Sequence, residues 1–176
     1  MTWPRASWLT TPKMPIGATG WSESISSSSA PELSALAHIP GCRSAKVVIC
    51  IADGRPLQAV VPAHHSVDLD ALRTLVQAVS LRLANEDEIA QLYPEFEVGA
   101  MPPFGMMHGH PVFVERCFVG EPEMVFNAGT HTDSLCMHYS DFAEIVRPTV
   151  ATFSTPRRDE RRRVLRYRVR RRIESV

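Results

Sequence analysis

The sequence predicts an α+β fold built on a mixed sheet. Three observations carry this. Apolar runs of strand length recur along the chain, among them "AKVVICIA", "PLQAVVPA" and "SLCMHY". Between them lie short stretches with helical spacing, such as Leu69, Leu72, Val76, Val79 and Leu83. The two kinds do not alternate in a strict βαβ rhythm, and hairpins are present, which argues against a doubly wound parallel sheet.

Taken in order, residues 1–28 are rich in Pro, Ser, Thr and Gly, carry three tryptophans and show no period. They read as irregular. "SAPE" then places Ser29 as a helix N-cap, Pro31 in the first turn and Glu32 three residues after the cap. This is a capping box, and it predicts a helix over 31–38 that stops before Pro40-Gly41. "AKVVICIA" and "PLQAVVPA" read as strands, and "DGR" between them predicts a hairpin. A helix follows from Val67 through Leu83. Asn85 with Glu88 forms a second capping box for a short helix ending at Leu92, before Pro94. "GAMPPFG" is a rigid loop, Val112–Val114 a strand, "EMVFNAG" a strand ending in a turn, and "SLCMHY" another strand. Ser140 is expected to cap a last helix, "DFAEIV". One domain over 29–150 results, with an arginine-rich tail over 151–176 that is helical or disordered.

Formal net charge is zero over 176 residues, but the zero hides a split. From Arg157 onward ten arginines face three acidic residues; before it nine basic residues face sixteen acidic ones. An acidic body with a basic tail speaks to partners and solubility rather than to fold. The tail suits either solvation or contact with RNA phosphates or the acidic body, since a guanidinium makes paired hydrogen bonds to phosphate. Cys42, Cys50, Cys117 and Cys136 include no Cys-x-x-Cys pair. They read as thiols of a reduced, cytoplasmic protein. No stretch approaches the roughly 18–20 apolar residues of a membrane span, and the first residues lack the apolar core of a secretory signal.

Three stretches can carry chemistry. Lys46 is one of two lysines among 19 basic residues and stands at the start of an apolar strand. Lys46, Val48, Cys50 and Ala52 share one face and Val47, Ile49 and Ile51 the other. Both faces are apolar, so the strand is internal. Its lysine either snorkels to the surface or supplies a charge to a pocket against a low-dielectric wall. In the loop Gly99–Gly105, the two prolines fix torsions and the glycines permit close approach to the main chain. It is either an ordinary tight connection or a ligand-facing loop with preorganised backbone groups. "FNAGTHTDSL" groups Asn127, Gly129, Thr130, His131, Thr132 and Asp133 at a strand end. There His131 either orients a substrate or is simply exposed. The seven histidines include "HH" and "HGH", but no Cys or acidic ligand falls at zinc spacing. There is no Gly-x-Ser-x-Gly elbow and no phosphate-binding glycine loop. Neither a metal nor another cofactor is expected.

In this order and spacing the stretches resemble the YbaK/prolyl-tRNA-synthetase-associated domain family of trans-acting aminoacyl-tRNA deacylases. The resemblance runs from about Ser29 to Pro148, through "HIPGCRSAKVVICIADG", "LANEDEIAQLYPEFEVGAMPPFG", "HPVFVERCF" and "EMVFNAGTHTDSLCMHYSDFAEIVRP". It implies a mostly antiparallel, curved mixed sheet flanked by short helices. It implies hydrolysis of the ester between a wrongly attached amino acid and tRNA, with no covalent nucleophile, metal or other cofactor. A water helped by a hydroxyl of the terminal ribose would attack the carbonyl. The lysine matching Lys46 would be needed for activity. Gly99, Met101, Pro102, Pro103, Phe104 and Gly105 would wall the pocket for the amino-acid side chain. Asn127, Gly129, Thr130 and His131 would complete it. The partners implied are the aminoacyl-tRNA acceptor end and a synthetase, with no membrane, and a monomer or weak homodimer is expected. The alternative is a non-catalytic module of the same fold that holds a tRNA end or a small amino-acid-like ligand. The family's first strand has no clear counterpart in "MPIGATGWSESI", and the arginine-rich tail is not a family feature.

Overall fold

The computed structural model describes residues 26–28, as a strand, and residues 43–157. The expected helix over 31–38, the three tryptophans and the tail beyond Arg157 lie outside the described residues. The central element is the hairpin of β2 (Ala45–Ala52) and β3 (Arg55–Pro62), in register from Ala45 opposite Pro62 to Ala52 opposite Arg55. Its turn residues Asp53 and Gly54 have φ of 47° and 78°. Two left-handed residues give the turn that matches strand twist. Short β4 (His65–Val67) leads into α1 (Leu69–Val76), which is capped by the Asp68 carboxylate on the Ala71 N–H.

The predicted helix to Leu83 is too long. Gln77 ends it in a left-handed conformation, Val79 is 85% exposed, and Leu81–Leu83 forms β5 on the edge of β2. The cause is Asp53, whose carboxylate accepts from the Val79 and Ser80 N–H groups at 3.1 and 2.8 Å. These bonds, the Ser80 one first, hold the Asp53 carboxyl below the usual range. α2 (Glu86–Leu92) starts with the expected capping box, Asn85 Oδ1 to Glu88 N at 2.8 Å and Glu88 Oε2 to Asn85 N at 2.9 Å.

A short 3₁₀ turn, Gly105–His108, precedes β6 (Val112–Glu115). β6 lies parallel to β3 on one side and parallel to β9 (Thr149–Ala151) on the other. The main sheet therefore runs β5-β2-β3-β6-β9, with β2 internal as its two apolar faces required. β7 (Glu123–Asn127) and β8 (Ser134–His138) form a second hairpin. β8 also pairs antiparallel with β1 (Ser26–Ser28), so a short strand does precede the lysine strand. A parallel bridge between Ser44 and Val125, with Val125 N donating to Arg43 O at 2.8 Å, ties β7 to the entrance of β2. α3 (Tyr139–Val146) buries Phe142 and Val146. It starts two residues earlier than expected, with His138 at the N-cap, while the Ser140 hydroxyl donates to Asp141 instead.

The two faces of the main sheet bury separate cores. Cys50, Ala52, Leu57, Ala59 and Val61 meet Leu72 and Val76 of α1, together with Phe153. On the opposite face Ala45, Val60 and Val114 meet Phe118, Met124, Phe126 and Phe142. Ile49 joins Tyr93 and Met101 in a third cluster on that same face. Residues 151–156, read from the sequence as the start of the tail, are part of this fold. Phe153 is 1% exposed, and β10 (Ser154–Pro156) pairs with β4. Burying one phenyl side chain contributes about 1.5–3 kcal/mol, enough to hold a short strand in place. Cys50 and Cys136 are free, and burial pushes the Cys50 thiol up to about 12. Cys117 is disulfide-bonded, contrary to the all-thiol reading. No described helix is long and apolar enough to cross a membrane.

Candidate active site

The loop after α2 and the turn after β7 are folded onto each other. Glu97 N donates to Gly129 O at 2.9 Å, and Gly129 N donates to Ala100 O at 3.0 Å. Gly129 sits at φ 106°, and a Cβ there would lie 2.8 Å from the Phe96 ring. Only glycine fits both the torsion and the contact. His131 closes the same junction. Its backbone N–H donates to the Glu97 carboxylate at 2.7 Å, and its Nε2 lies 3.0 Å from Val98 O, to which it must donate. The ring edge comes within 3.5 Å of the position a Cβ on Gly99 would take. Thr130 Oγ1 donates to Asp133 Oδ2 at 2.6 Å and accepts from Asp133 N at 3.0 Å, so the turn braces itself. His131 is exposed, and its backbone N–H and Nε2–H brace the loop.

The loop's own side chains mostly turn inward. Ala100, Met101, Pro102, Pro103 and Gly105 are buried, and Gly99 is exposed. Met101 packs on Ile49 and Tyr93, and Phe104 meets Phe126 edge-on at 5.6 Å. The amides of Ala100, Phe104 and Gly105 donate to Glu97 O, Pro102 O and the Gln58 side chain respectively. Two loop amides are thus committed to the loop's own shape, and the third ties the loop to β3. Gln58, a buried amide on β3, was not singled out from the sequence. The available signal was one amide in the otherwise apolar run "PLQAVVP".

Lys46 lies at the entrance of β2. Its ammonium donates to Ala63 O at 3.1 Å, in the turn leaving β3, and to His65 O at the start of β4. Burial, then the Arg157 charge, lowers its pKa. Lys46 shares the strand face of Cys50 and Ala52, whereas Ile49, against which the loop packs, is on the opposite face. The structure therefore brings Gly99, Gly129 and His131 together directly. It attaches Lys46 to the 63–65 turn instead. The link between the two parts is the Ser44–Val125 bridge, from which Lys46 and Asn127 each lie two residues onward. Among the described residues no group of three or more His, Cys, Asp or Glu side chains is arranged to hold a metal ion.

A model of the aminoacyl-tRNA editing domain matches residues 26–145. The chain belongs to that family. Solved structures share the fold of this editing domain, among them the following two. One is a hypothetical protein, APE2540, with a TM-score of 0.63 and 20% identity, covering 72% of this chain and 84% of that one. The other is a proposed trans-editing enzyme for prolyl tRNA synthetase, with a TM-score of 0.65 and 19% identity, covering 74% of this chain and 87% of that one. No curated protein matches the sequence significantly.

Beneath the loop of the editing domain lies a polar chain. The Tyr93 hydroxyl is 2.7 Å from His110 Nδ1, and burial pushes its pKa up to about 12. The phenol therefore stays protonated and donates, so His110 accepts at Nδ1. Burial first, then the neighbouring His108, lowers the His110 pKa. His108 in turn pairs through Nε2 with Glu95. The linkage has a definite sign. The unfolded chain takes up the His110 proton before the folded one, so stability is lost as pH falls below the ordinary value of 6.5 towards the lower folded one. His65, lowered mainly by burial, acts in the same direction. The melting temperature is expected to drop between about pH 7.5 and about pH 5.5, and His110→Asn, whose amide oxygen still accepts from Tyr93, should shrink that drop without removing it. An unchanged drop in the variant would exclude His110 as a contributor.

Proposed function

We propose that this editing domain is an aminoacyl-tRNA deacylase that acts in trans, hydrolysing the ester of a mischarged tRNA. The observation that carries the reading is the junction of the Gly99–Gly105 loop with the Asn127–Asp133 turn, in a chain of this family. Water adds to the ester carbonyl, the bond to the ribose oxygen breaks, and a free amino acid and the tRNA 3′ end leave. Lys46 anchors the acylated terminus. An ammonium has three N–H donors, and two of them are bonded to Ala63 O and His65 O. Among the described residues the third meets no acceptor, and it is the one that would meet an anionic or carbonyl oxygen. Met101, Pro102, Pro103, Phe104 and Gly105 set the side-chain pocket, and Asn127, Gly129, Thr130 and His131 complete it. A prolyl-tRNA synthetase is the partner suggested by the relative described above.

The test is a panel of mischarged alanyl-, seryl- and cysteinyl-tRNAs incubated with the full chain. At least one is expected to lose its amino acid about tenfold or more faster than in buffer, a modest demand beside ordinary enzymatic accelerations. If none does, the deacylase reading is wrong. The engagement of the Lys46 ammonium by two carbonyls favours one rival, a pocket that binds without turnover. That rival predicts tight binding of a non-hydrolysable aminoacyl-adenosine amide with no ester cleavage.

A further inference from the structure

Gln58 is 1% exposed in the middle of β3, between Leu57 and Ala59 and beside Val60. A buried amide is unfavourable unless its groups are paired, and an apolar side chain of the same length would pack there without that burden. Each polar atom has a partner. Oε1 accepts from Gly105 N at 2.8 Å, and Nε2 donates to Pro102 O at 3.4 Å. The amide also reaches the Tyr93 hydroxyl, an interaction that works against the burial effect on that phenol. Gly105 is the closest approach, since a Cβ there would stand 2.8 Å from Gln58 Cδ.

The sequence of the loop explains why a side-chain amide stands here. Pro102 and Pro103 have no N–H, so the loop cannot dock on β3 through an ordinary ladder. It offers one carbonyl, of Pro102, and one N–H, of Gly105. Gln58 presents the complementary acceptor and donor in one plane, as a substitute peptide group. Glutamate has no donor when ionised, asparagine is one methylene short, and methionine offers neither group.

We propose that Gln58 is the positioning residue that fixes the Pro102–Gly105 segment and thereby sets amino-acid selectivity. The proposal rests on the deacylase reading. Gln58 touches the loop and not the substrate. Discrimination by one methylene in such a pocket amounts to only about 10–200-fold, so a small shift of the loop wall is enough to alter it.

The test uses Gln58→Met, close in volume and without amide groups, in the full chain. Two readouts are taken. Exchange of the Gly105 amide should accelerate by about tenfold or more while the amides of β2 and β3 stay protected. The ratios of kcat/KM among alanyl-, seryl- and cysteinyl-tRNA should change by about tenfold. Unchanged Gly105 protection overturns the clamp. Faster Gly105 exchange with unaltered ratios overturns the selectivity role. If β2 and β3 also lose protection, Gln58→Leu, which likewise lacks the amide, is read in the same two ways, and unaltered ratios there also overturn the role. A wild-type chain that deacylates none of the three defeats the deacylase reading and the selectivity role together. The clamp itself still stands or falls on the exchange data.

Discussion

Lys46→Ala is expected to lower kcat/KM on the preferred mischarged tRNA by about a hundredfold or more, the scale of losing one donor aimed at a reacting oxygen. Lys46→Arg is expected to lose most of the activity as well. A guanidinium keeps the charge but is flat and wide, whereas the ammonium is a compact point on a flexible stem. The pair of carbonyls on Ala63 and His65 holds such a point charge from one side. Stability is expected to change far less. Truncation leaves two carbonyls short of a donor at a site with solvent access, a net loss of about 1 kcal/mol. The measurement is single-turnover deacylation beside a melting curve for each variant. A Lys46→Arg chain with near-wild-type turnover would return Lys46 to a structural lysine that merely snorkels at a strand end.

Local signals in the sequence survive folding, and long-range ones do not. The Asp53-Gly54 hairpin and the Asn85–Glu88 capping box were legible because each depends on a few adjacent residues. The internal character of β2 followed from its two apolar faces. The parallel pairing of β6 with β3 and β9 was not legible, because nothing within "PVFVE" records which distant strand it meets. The overlong helix had a similar cause. Val79 and Leu83 keep helical spacing, but Asp53, 26 residues before Val79, captures the chain just past the helix end. Residues 151–156 were obscured by the arginines that follow them, although Phe153 is a core side chain. At the candidate site, the loop and the turn could be recognised as a family pattern. Gln58 could not, because its reason for being polar is a proline-rich loop 44 residues away.

Gly129→Ala is expected to be the most damaging glycine substitution in the described fold. Two penalties coincide there. At φ 106° the backbone lies outside the range that an alanine adopts without strain, at about 1–3 kcal/mol. The new Cβ would also meet the Phe96 ring at 2.8 Å, and overpacking of that kind costs about 1–3 kcal/mol more. Phe96 cannot simply swing away, because its side chain packs with the Ile49–Tyr93–Met101 cluster. The damage should fall on function beyond its effect on stability, since Gly129 carries both backbone bonds that join the turn to the loop. Two other glycines calibrate the result. At Gly54, φ is 78° and a Cβ meets nothing within 4 Å, so only torsional strain of about 1–2 kcal/mol applies. At Gly120 a Cβ meets nothing and φ is not left-handed, so alanine should stay within about 0.5 kcal/mol of wild type. Denaturant midpoints should therefore fall in the order Gly120→Ala, Gly54→Ala, Gly129→Ala, and only the last should also abolish deacylation in chains that remain folded. A Gly129→Ala chain as active as Gly54→Ala would mean that the loop–turn junction does not shape the pocket.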